Sequence, residues 1–240
     1  MLFISPPFGN YFNLPGSISI TGSFTTEPRD GKWIQILKTL RYSWKYGCWC
    51  NKIGLRNPGI DWAVANYKKG TITSIAILKR EDIEVFKQKI PDDMDLEINI
   101  SCPNVDHKLI CDDIETFLND TRRFTIVKLS PTDSLELVNM LYVKGFRQFH
   151  FSNTLPTREL PDCKHQGGMS GSVIIPYTTG LVVKTRAKYP DVEIIAGGGV
   201  RDLTIAKNYL YHGANHISVS SLLFNPFRFI LFYKNWLSYF

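Results

Sequence analysis

The feature that most constrains the fold of this chain is a regular alternation of short apolar runs with amphipathic segments. From Asp61 onward, runs rich in β-branched residues alternate with stretches whose apolar residues recur at helical spacing, as Ile83, Phe86 and Ile90 do. Two further apolar runs precede Asp61. Alternation of this kind is typical of parallel sheets whose strands are connected by helices.

Eight strands are predicted from this pattern, at residues 2–5, 17–21, 71–78, 96–101, 124–129, 148–152, 192–196 and 216–220. Helices are predicted at residues 62–67, 81–90, 112–118, 134–143, 177–188 and 202–211. Eight strands in 240 residues favour a (β/α)8 TIM barrel, with residues 1–240 forming one domain. An open doubly wound sheet is the alternative. It is disfavoured by the number of strands and because the candidate functional residues follow many different strands.

Three segments depart from the alternation. The loop at residues 6–16 is rich in Pro, Gly and Asn and lacks a helical period, so the first crossover helix is expected to be shortened or absent. Residues 23–60 are expected to form an elaborated loop. Residues 224–240 carry eight aromatic side chains and predict a helix that seals the bottom of the core. A position on a membrane surface is the alternative for that helix.

The composition narrows the classes of function. The net charge is +6, but the basic residues are dispersed, which disfavours a nucleic-acid surface and favours a small anionic ligand. Five cysteines at irregular spacing predict reduced thiols in the cytoplasm and neither a disulfide framework nor a metal site. The sequence shows no signal peptide and no apolar run long enough to span a bilayer.

Polar residues cluster where the strand at 96–101 ends. Asn99, Cys102 and Asn104 are expected to surround one small space, because Pro103 cannot continue a ladder. Two amides around a thiol suit a flat, hydrogen-bonding ligand with a reactive carbon held against the sulfur. An ordinary turn at the end of a strand is the alternative.

Two glycine-rich loops predict an anion site. Gly197–Gly199 end the seventh predicted strand, and the loops after strands seven and eight are the usual phosphate site of a barrel. Ser220 and Ser221 add hydroxyl donors, and the loop at 167–171 provides further backbone amides. A flexible turn is the alternative for the glycine run.

Lys128 lies on a predicted strand among apolar neighbours, where burial without a partner is costly. A position beside the electron-rich ring of a cofactor would provide such a partner. The alternative is a side chain that reaches solvent from the end of the strand.

The order and spacing of these motifs resemble those of the dihydroorotate dehydrogenase family over residues 22–223. The motifs are NKIGLRNPG at 51–59, NISCPN at 99–104, VKLSP at 127–131, SNT at 152–154, GGMSG at 167–171 and AGGG at 196–199. The resemblance implies an FMN-containing barrel that oxidises dihydroorotate to orotate in pyrimidine biosynthesis. Cys102 matches the base that removes the proton from ring C5 while a hydride leaves C6 for flavin N5. A cysteine base is typical of the soluble branch of the family.

The resemblance also implies two sets of binding residues. Those for the substrate are Asn51, Gly54, Leu55, Asn99, Asn104, Asn153 and Thr154. Those for FMN are Ser23, Asn99, Lys128, Ser152, Gly171, Gly198, Gly199, Ser220 and Ser221. No second cofactor motif identifies the electron acceptor, so fumarate, nicotinamide through a partner subunit, or no acceptor at all stay open. Barrels with exposed apolar helices often pair, so a homodimer also stays open.

The chain departs from the family at several places. Pro6–Gly9 replace an Ala/Gly-rich end of the first strand, Ser220 and Ser221 replace the usual Gly-Thr or Gly-Ser, and the lid after Asn104 lacks the expected Pro-Gly.

A further departure removes a charge from the site. Family members carry a lysine over the flavin and orotate, where this sequence offers only Asn10 or Ile20. Arg56 or Lys108 is a candidate for supplying the missing charge. Two alternatives therefore stay open: a divergent homologue that binds flavin or a partner without turnover, and a barrel acting as a lyase or isomerase on another phosphorylated ligand.

Overall fold

The structure is a computed structural model that describes residues 1–100, 113–160, 163 and 166–239. In chain order its strands are β1 Leu2–Ile4, β2 Ser17–Phe24, β3 Arg41–Ser43, β4 Cys48–Asn51, β5 Ile72–Ala76, β6 Leu96–Asn99, β7 Thr125–Leu129, β8 Gln148–Phe151, β9 Leu155–Pro156, β10 Gly168–Gly171, β11 Glu193–Ala196 and β12 His216–Val219. Its α-helices are α1 Lys32–Thr39, α2 Ile60–Ala65, α3 Glu81–Lys89, α4 Leu135–Val143, α5 Ile175–Lys188, α6 Leu203–Tyr211 and α7 Pro226–Tyr239.

Eight of these strands form a closed parallel barrel in the order β1, β2, β5, β6, β7, β8, β11 and β12, with β12 pairing back to β1. The predicted TIM barrel is therefore confirmed. The crossover between β1 and β2 contains only a short 3-10 helix, Phe8–Asn10, so the expectation of a missing first helix is also met. This loop packs tightly, because a Cβ on Gly9 would lie 2.0 Å from the carbonyl oxygen of Ile20.

Two predicted elements differ from the structure. A helix was expected at 112–118, and the described part of that segment holds a 3-10 helix, Ile114–Phe117. Residues 23–60 were expected to form an elaborated loop, and they contain α1 and a β3–β4 hairpin. The hairpin joins β9 and β10 in a four-stranded antiparallel sheet of order β3–β4–β10–β9.

The barrel strands are buried on both faces. Their outward side chains, such as Leu96, Ile98 and Phe149, pack in the main core with the helices. Successive side chains on a strand point to opposite faces, so the residues between them fill the barrel interior. A separate cluster of six apolar side chains occupies that interior toward the amino ends of the strands: Phe3, Ile20, Ile72, Phe124, Ile126 and Ile195.

Helix α7 covers one side of the barrel. It buries Phe232 and Trp236, as the aromatic composition predicts, but Phe227 is 87% exposed. Phe224, just before the helix, packs on Phe8 after β1, whereas Tyr233 donates a hydrogen bond to the carbonyl of Pro15 ahead of β2. The helix thus runs along the wall and does not close the bottom of the barrel. Among the described residues, none of the helices combines the length and hydropathy required to cross a bilayer.

Candidate functional site

A cleft opens at the carboxyl ends of the barrel strands, which is where TIM barrels build their sites. The residues that line it come from β1, β7, β8, β10, β11, β12 and the loops that follow them. The lining includes nine of the residues singled out from the sequence: Lys128, Ser152, Asn153, Thr154, Gly171, Gly198, Gly199, Ser220 and Ser221. The fold therefore brings most of the predicted cofactor residues together.

A buried carboxylate organises the floor of this cleft. Glu97 of β6 is fully buried, and its Oε1 accepts hydrogen bonds from Lys128 Nζ at 3.3 Å and from Ser74 Oγ at 2.8 Å. Its Oε2 lies 2.6 Å from His150 Nδ1. Lys128 is 7% exposed and His150 is 1% exposed. The partner that a buried Lys128 requires is thus a carboxylate of the protein itself.

The protonation states in this cluster follow from their surroundings. Burial would raise the pKa of Glu97, but Lys128, His150 and Ser74 outweigh it and lower the pKa to about 2. Burial and the nearby Lys128 lower the pKa of His150, against the opposing effect of Glu97. Glu97 is therefore ionised and His150 neutral, and because a carboxylate only accepts, Nδ1 carries the imidazole proton.

A chain of hydrogen bonds extends from Glu97 across the mouth of the barrel. Ser74 Oγ lies 2.8 Å from Ser23 Oγ, which accepts from Asn99 Nδ2 at 3.0 Å. Asn99 Oδ1 in turn accepts from Asn153 Nδ2 at 3.4 Å. Ser23 and Asn99 thus contact the same polar network as Lys128, although they are not among the described residues that line the cleft.

The two glycine-rich loops meet at the other end of the cleft. A Cβ on Gly199 would lie 2.9 Å from the carbonyl oxygen of Gly171 and 2.6 Å from Ile175. Gly199 has a φ of +72°, so both its conformation and its neighbours require glycine. Tyr209 donates a hydrogen bond of 2.7 Å to the carbonyl of Gly198 and holds the second loop in place. The sequence expectation that both loops adjoin is met.

The donors available to an anion come from these loops and not from helix α6. Asp202 caps α6 and accepts a hydrogen bond from the backbone N–H of Ile205 at 3.0 Å. The carboxylate of Asp202 at the N-terminus of α6 would repel an anion bound there. Ser220 Oγ donates to the carbonyl of Pro6 at 2.8 Å, so Ser221 and the loop amides are the donors that face the cleft.

The small antiparallel sheet carries other predicted substrate residues. Asn51 of β4 is the register partner of Gly168 in β10. A Cβ on Gly168 would lie 2.3 Å from Thr154 Oγ1, so Thr154 packs directly on that strand. Asn153 Oδ1 accepts from the backbone N–H of Thr154 at 2.8 Å. Asn51, Asn153 and Thr154 are therefore close neighbours at one side of the cleft.

Other predicted residues lie elsewhere. Gly54 and Leu55 form a turn with positive φ, and neither lines the cleft in the part of the chain that the structure describes. Ser152 lines it, but its hydroxyl pairs with Thr178 Oγ1 of α5 at 2.7 Å. Cys102 and Asn104, and with them Lys108, lie outside the described residues.

The positions considered for the family lysine carry no cation. Asn10 binds backbone, since its Oδ1 accepts from Gly22 N–H at 2.8 Å and its Nδ2 donates to the carbonyl of Pro7 at 3.0 Å. Ile20 is fully buried in the apolar interior of the barrel. Arg56 donates from Nη1 to the carbonyl of Asp30 at 2.9 Å, while its buried Nε has no hydrogen-bond partner.

Fold and cleft together define a TIM-barrel protein with a buried cation at one end of its site and backbone amides at the other. The profile of the dihydroorotate dehydrogenase family matches residues 9–230. The chain belongs to the dihydroorotate dehydrogenase family, as the motifs indicate, and FMN is the cofactor of that family.

Curated relatives of the chain are also named as dihydroorotate dehydrogenases. A protein from Lachnoclostridium phytofermentans named dihydroorotate dehydrogenase B (NAD(+)), catalytic subunit, is 30% identical over 76% of this chain and 70% of its own length. A protein of the same name from Thermotoga maritima is 28% identical and covers 93% of each chain. The match with the second relative extends over nearly the whole chain.

Solved structures support the architecture. The crystal structure of ligand-free DHODH from Eimeria tenella superposes with a TM-score of 0.71 at 17% identity, over 92% of this chain and 78% of that one. The complex of DHODH from the same organism with ferulenol gives a TM-score of 0.64 at 18% identity. At these identities the likeness shows the fold.

Proposed function

We propose that the chain is an FMN-dependent oxidoreductase that oxidises dihydroorotate to orotate. The observation that carries the proposal is the cleft itself, which connects the buried Lys128 to the paired loops at Gly171 and Gly199. A cation at one end suits an electron-rich ring, and amides with a hydroxyl at the other end suit a phosphate. The donor set therefore fits FMN.

In this proposal each set of residues holds one part of the reactants. Lys128 and Ser23 face the flavin ring, and Gly198, Gly199 and Ser221 hold its phosphate. Asn51, Asn99, Asn153 and Thr154, together with Asn104, hold the pyrimidine ring through amide and hydroxyl groups. Bound FMN supplies the hydride acceptor.

Cys102 is the proposed base for the proton on ring C5. An unperturbed thiol has a pKa of about 8.5, so at neutral pH only a small fraction is ionised. The family assignment and the position of Cys102 three residues after Asn99 support this role. The amides of Asn99 and Asn153 would orient the ring against the sulfur.

Glu97 and His150 act in this scheme as positioning residues. The carboxylate of Glu97 fixes Lys128 Nζ, and His150 and Ser74 fix the carboxylate from its other sides. A lysine held by a buried, fully hydrogen-bonded acid keeps its charge at one place in the floor of the cleft. That arrangement would favour negative charge on the ring above it.

A second candidate function is a divergent homologue that binds flavin or a partner without turnover. It is favoured by the absence of a second cation: of the described residues that line the cleft, only Lys128 is a lysine or arginine. With Asn10 bound to backbone and Ile20 buried, nothing described at β1 or β2 holds a substrate carboxylate.

Spectrophotometry of the purified protein tests both candidates. A flavin absorbance band on purification is expected, and dihydroorotate added without oxygen is expected to bleach it. A yellow protein that dihydroorotate does not bleach would favour the divergent homologue. A colourless protein that takes up no added FMN would contradict flavin binding and favour a different phosphorylated ligand.

Replacing the proposed base gives a sharper test. Cys102→Ala should slow bleaching by about 100- to 10,000-fold, the usual loss for a removed general base, while bound flavin remains. Cys163→Ala is the matched control, because Cys163 is a partly exposed cysteine that forms no disulfide in the described structure. Stopped-flow absorbance measures both variants. Near-normal bleaching by Cys102→Ala would remove Cys102 from this role.

The electron acceptor is proposed from the relatives. Their names describe the catalytic subunit of an NAD(+)-linked enzyme. We therefore propose that a second subunit passes electrons from this chain to NAD(+). Among the described residues Cys48, Cys50 and Cys163 form no disulfide, which supports a reducing compartment such as the cytoplasm.

A further inference from the structure

An exposed aromatic and basic surface surrounds part of the carboxyl end of the barrel, and its aromatic and basic side chains have no role in the proposed reaction. We call it the aromatic rim and define it as α1, the β3–β4 hairpin, Phe224 and the loop residues Phe8, Tyr11 and Phe12. Soluble domains seldom leave so many large apolar side chains in contact with water unless the surface binds something.

Helix α1 contributes the most exposed part of the rim. None of its residues is buried, and Trp33, Ile34 and Leu37 are 67%, 58% and 76% exposed. These positions lie on one face of the helix, since residues three and four apart share a side, and Leu37 is three residues after Ile34 and four after Trp33. The helix therefore presents an apolar stripe to solvent.

The hairpin contributes a second apolar face. Tyr42 and Trp49 are register partners, so they share one face of the hairpin, while Cys48 and Cys50 are buried on the other. The ring centroids of Tyr42 and Trp49 are 5.2 Å apart, and Trp44, 88% exposed, packs edge-on against Tyr42 at 5.0 Å. The sheet buries one face and leaves aromatic rings on the other.

Contacts connect these parts into a continuous surface. Trp49 contacts Phe224 at 4.7 Å between ring centroids, and Phe224 contacts Phe8 at 5.0 Å. The ring centroids of Phe8 and Phe12 are 6.2 Å apart, and Tyr11 precedes Phe12 in the same loop.

Two hydrogen bonds connect α1 to the loop and to the hairpin. Lys32 Nζ donates to the hydroxyl of Tyr11 at 3.0 Å, at the start of the helix. At its end, Arg41 donates to the carbonyl of Leu37 at 3.0 Å. Helix, hairpin and loop thus form one connected surface.

The charged side chains of α1 and the β3–β4 hairpin are all basic. Residues 31–52 contain Lys32, Lys38, Arg41, Lys45 and Lys52 and no Asp or Glu. Lys38, Arg41 and Lys45 are exposed beside the apolar side chains. Tryptophan and tyrosine with flanking lysine and arginine suit the interface of an anionic bilayer, where the rings enter the headgroup region and the cations meet lipid phosphates.

We propose that the aromatic rim docks this protein on the surface of a membrane that contains anionic phospholipids. The charge disfavours a second copy of the chain as the occupant. A two-fold interface brings the same patch of each subunit together, and here that would place cations against cations. No membrane-crossing helix is needed for such attachment. The cleft opens close to the rim, because Pro6 lines the cleft and Phe8 belongs to the rim.

Vesicle co-sedimentation of the purified chain tests the proposal. Vesicles of phosphatidylcholine mixed with phosphatidylglycerol should bind the protein, and vesicles of phosphatidylcholine alone should bind it at least tenfold less tightly. Binding should weaken with added salt, since headgroup attraction is screened. Tryptophan fluorescence should shift to shorter wavelength on binding.

Two variants locate the contact. Trp33→Ser combined with Leu37→Ser, and Lys38→Glu combined with Lys45→Glu, should each lower vesicle affinity at least tenfold, given about fivefold per basic residue at an anionic surface. The matched controls are Val143→Ser, at a position 77% exposed on α4, and Lys69→Glu, at an exposed position after α2. Neither control should change vesicle binding, and dihydroorotate bleaching should be unchanged in all four.

Three outcomes would overturn the proposal. The first is equal binding to both kinds of vesicle, and the second is binding unaffected by the rim variants. The third is no binding to vesicles of either kind. That outcome can be accompanied by a complex, seen by sedimentation velocity, that the rim variants abolish. That last result would assign the rim to a protein interface.

Discussion

The interior of the barrel is divided into two layers of opposite character. Toward the amino ends, the apolar layer contains Phe3, Ile20, Ile72, Phe124, Ile126 and Ile195. About two residues further along the strands, the polar layer contains Ser5, Ser74, Glu97, Lys128, His150 and Ser218. On β5 the change is from Ile72 to Ser74, and on β7 it is from Ile126 to Lys128. Both layers are buried, so exposure to solvent does not explain the difference.

Comparison of the two layers shows that the barrel loses stability in the polar layer. Burying polar groups is unfavourable unless they are hydrogen-bonded, and every residue of the polar layer makes at least one hydrogen bond. Glu97 binds three neighbours, and Ser5 Oγ lies 2.6 Å from Ser218 Oγ. An apolar layer would stabilise the barrel with less demanding geometry. The polar layer is therefore better explained by the cleft above it than by folding.

Removing the charge of Glu97 should give the largest effect. Glu97→Gln leaves the buried Lys128 without a carboxylate, and losing one partner of a buried ion pair costs about 3–5 kcal/mol. The free energy of unfolding, measured by urea titration, should fall accordingly, and flavin retention should fall with it.

A double variant serves as the control for Glu97. Glu97→Gln combined with Lys128→Met removes both charges and should recover part of the lost stability, since no unpaired charge remains. An additive loss would show that the two side chains are not coupled.

Truncation in the apolar layer should affect stability alone. Ile126 is fully buried, and Ile126→Ala should cost about 2–5 kcal/mol through lost burial and a residual cavity. The flavin absorbance band and its bleaching by dihydroorotate should keep their wild-type form at a temperature where the variant is folded. An altered flavin spectrum in Ile126→Ala would mean that the two layers are not functionally distinct.

The sequence predicts the apolar layer and the strands better than the polar layer. Hydrophobic periodicity locates all eight barrel strands, because each must bury apolar side chains against helices. The residues around Glu97 alternate apolar and polar, which by itself indicates a strand with one solvated face. In a closed barrel that face is interior, so Glu97, in phase with Asn99, is buried. The position of Glu97 two residues before Asn99 is the signal that could have identified it.

The small antiparallel sheet could not be predicted from local pattern. Its strands have two to four residues, and the pairing of Asn51 with Gly168 joins segments more than a hundred residues apart. His150 was missed for a similar reason. Its role depends on Glu97 of β6 and Lys128 of β7, and no spacing within its own strand β8 indicates that contact.

A smaller effect is expected at Arg56. The polar layer provides one lysine, so a substrate carboxylate needs a cation from the loops above it, and Arg56 has a buried Nε without a hydrogen-bond partner. Arg56→Ala should weaken orotate binding about tenfold, as expected for a lost charged hydrogen bond. Flavin fluorescence titration measures the affinity. Arg80→Ala, on the outer surface with its ion pair to Asp113, is the control. Unchanged orotate affinity in Arg56→Ala would exclude this role.

The smallest effect concerns pH and distinguishes the polar layer from any ordinary core. Burial lowers the pKa of His150 in the folded state, so between that value and about 6.5 the unfolded chain binds more protons. Stability should therefore decrease as the pH falls below about 6.5. The contribution of Glu97 is present above its unfolded pKa of about 4.5 and is lost as the pH falls toward about 2. The two groups thus act in separate ranges.

A variant isolates the contribution of His150. His150→Asn retains a donor for Glu97 and removes the titrating group, so its melting temperature should depend less on pH between about 6.5 and 5 than that of the wild type. His212→Asn, on the barrel surface, should behave like the wild type. An unchanged slope in His150→Asn would mean that His150 is not held neutral by its burial. The ion pair of Glu97 and Lys128 would then be the part of the polar layer that sets its charge.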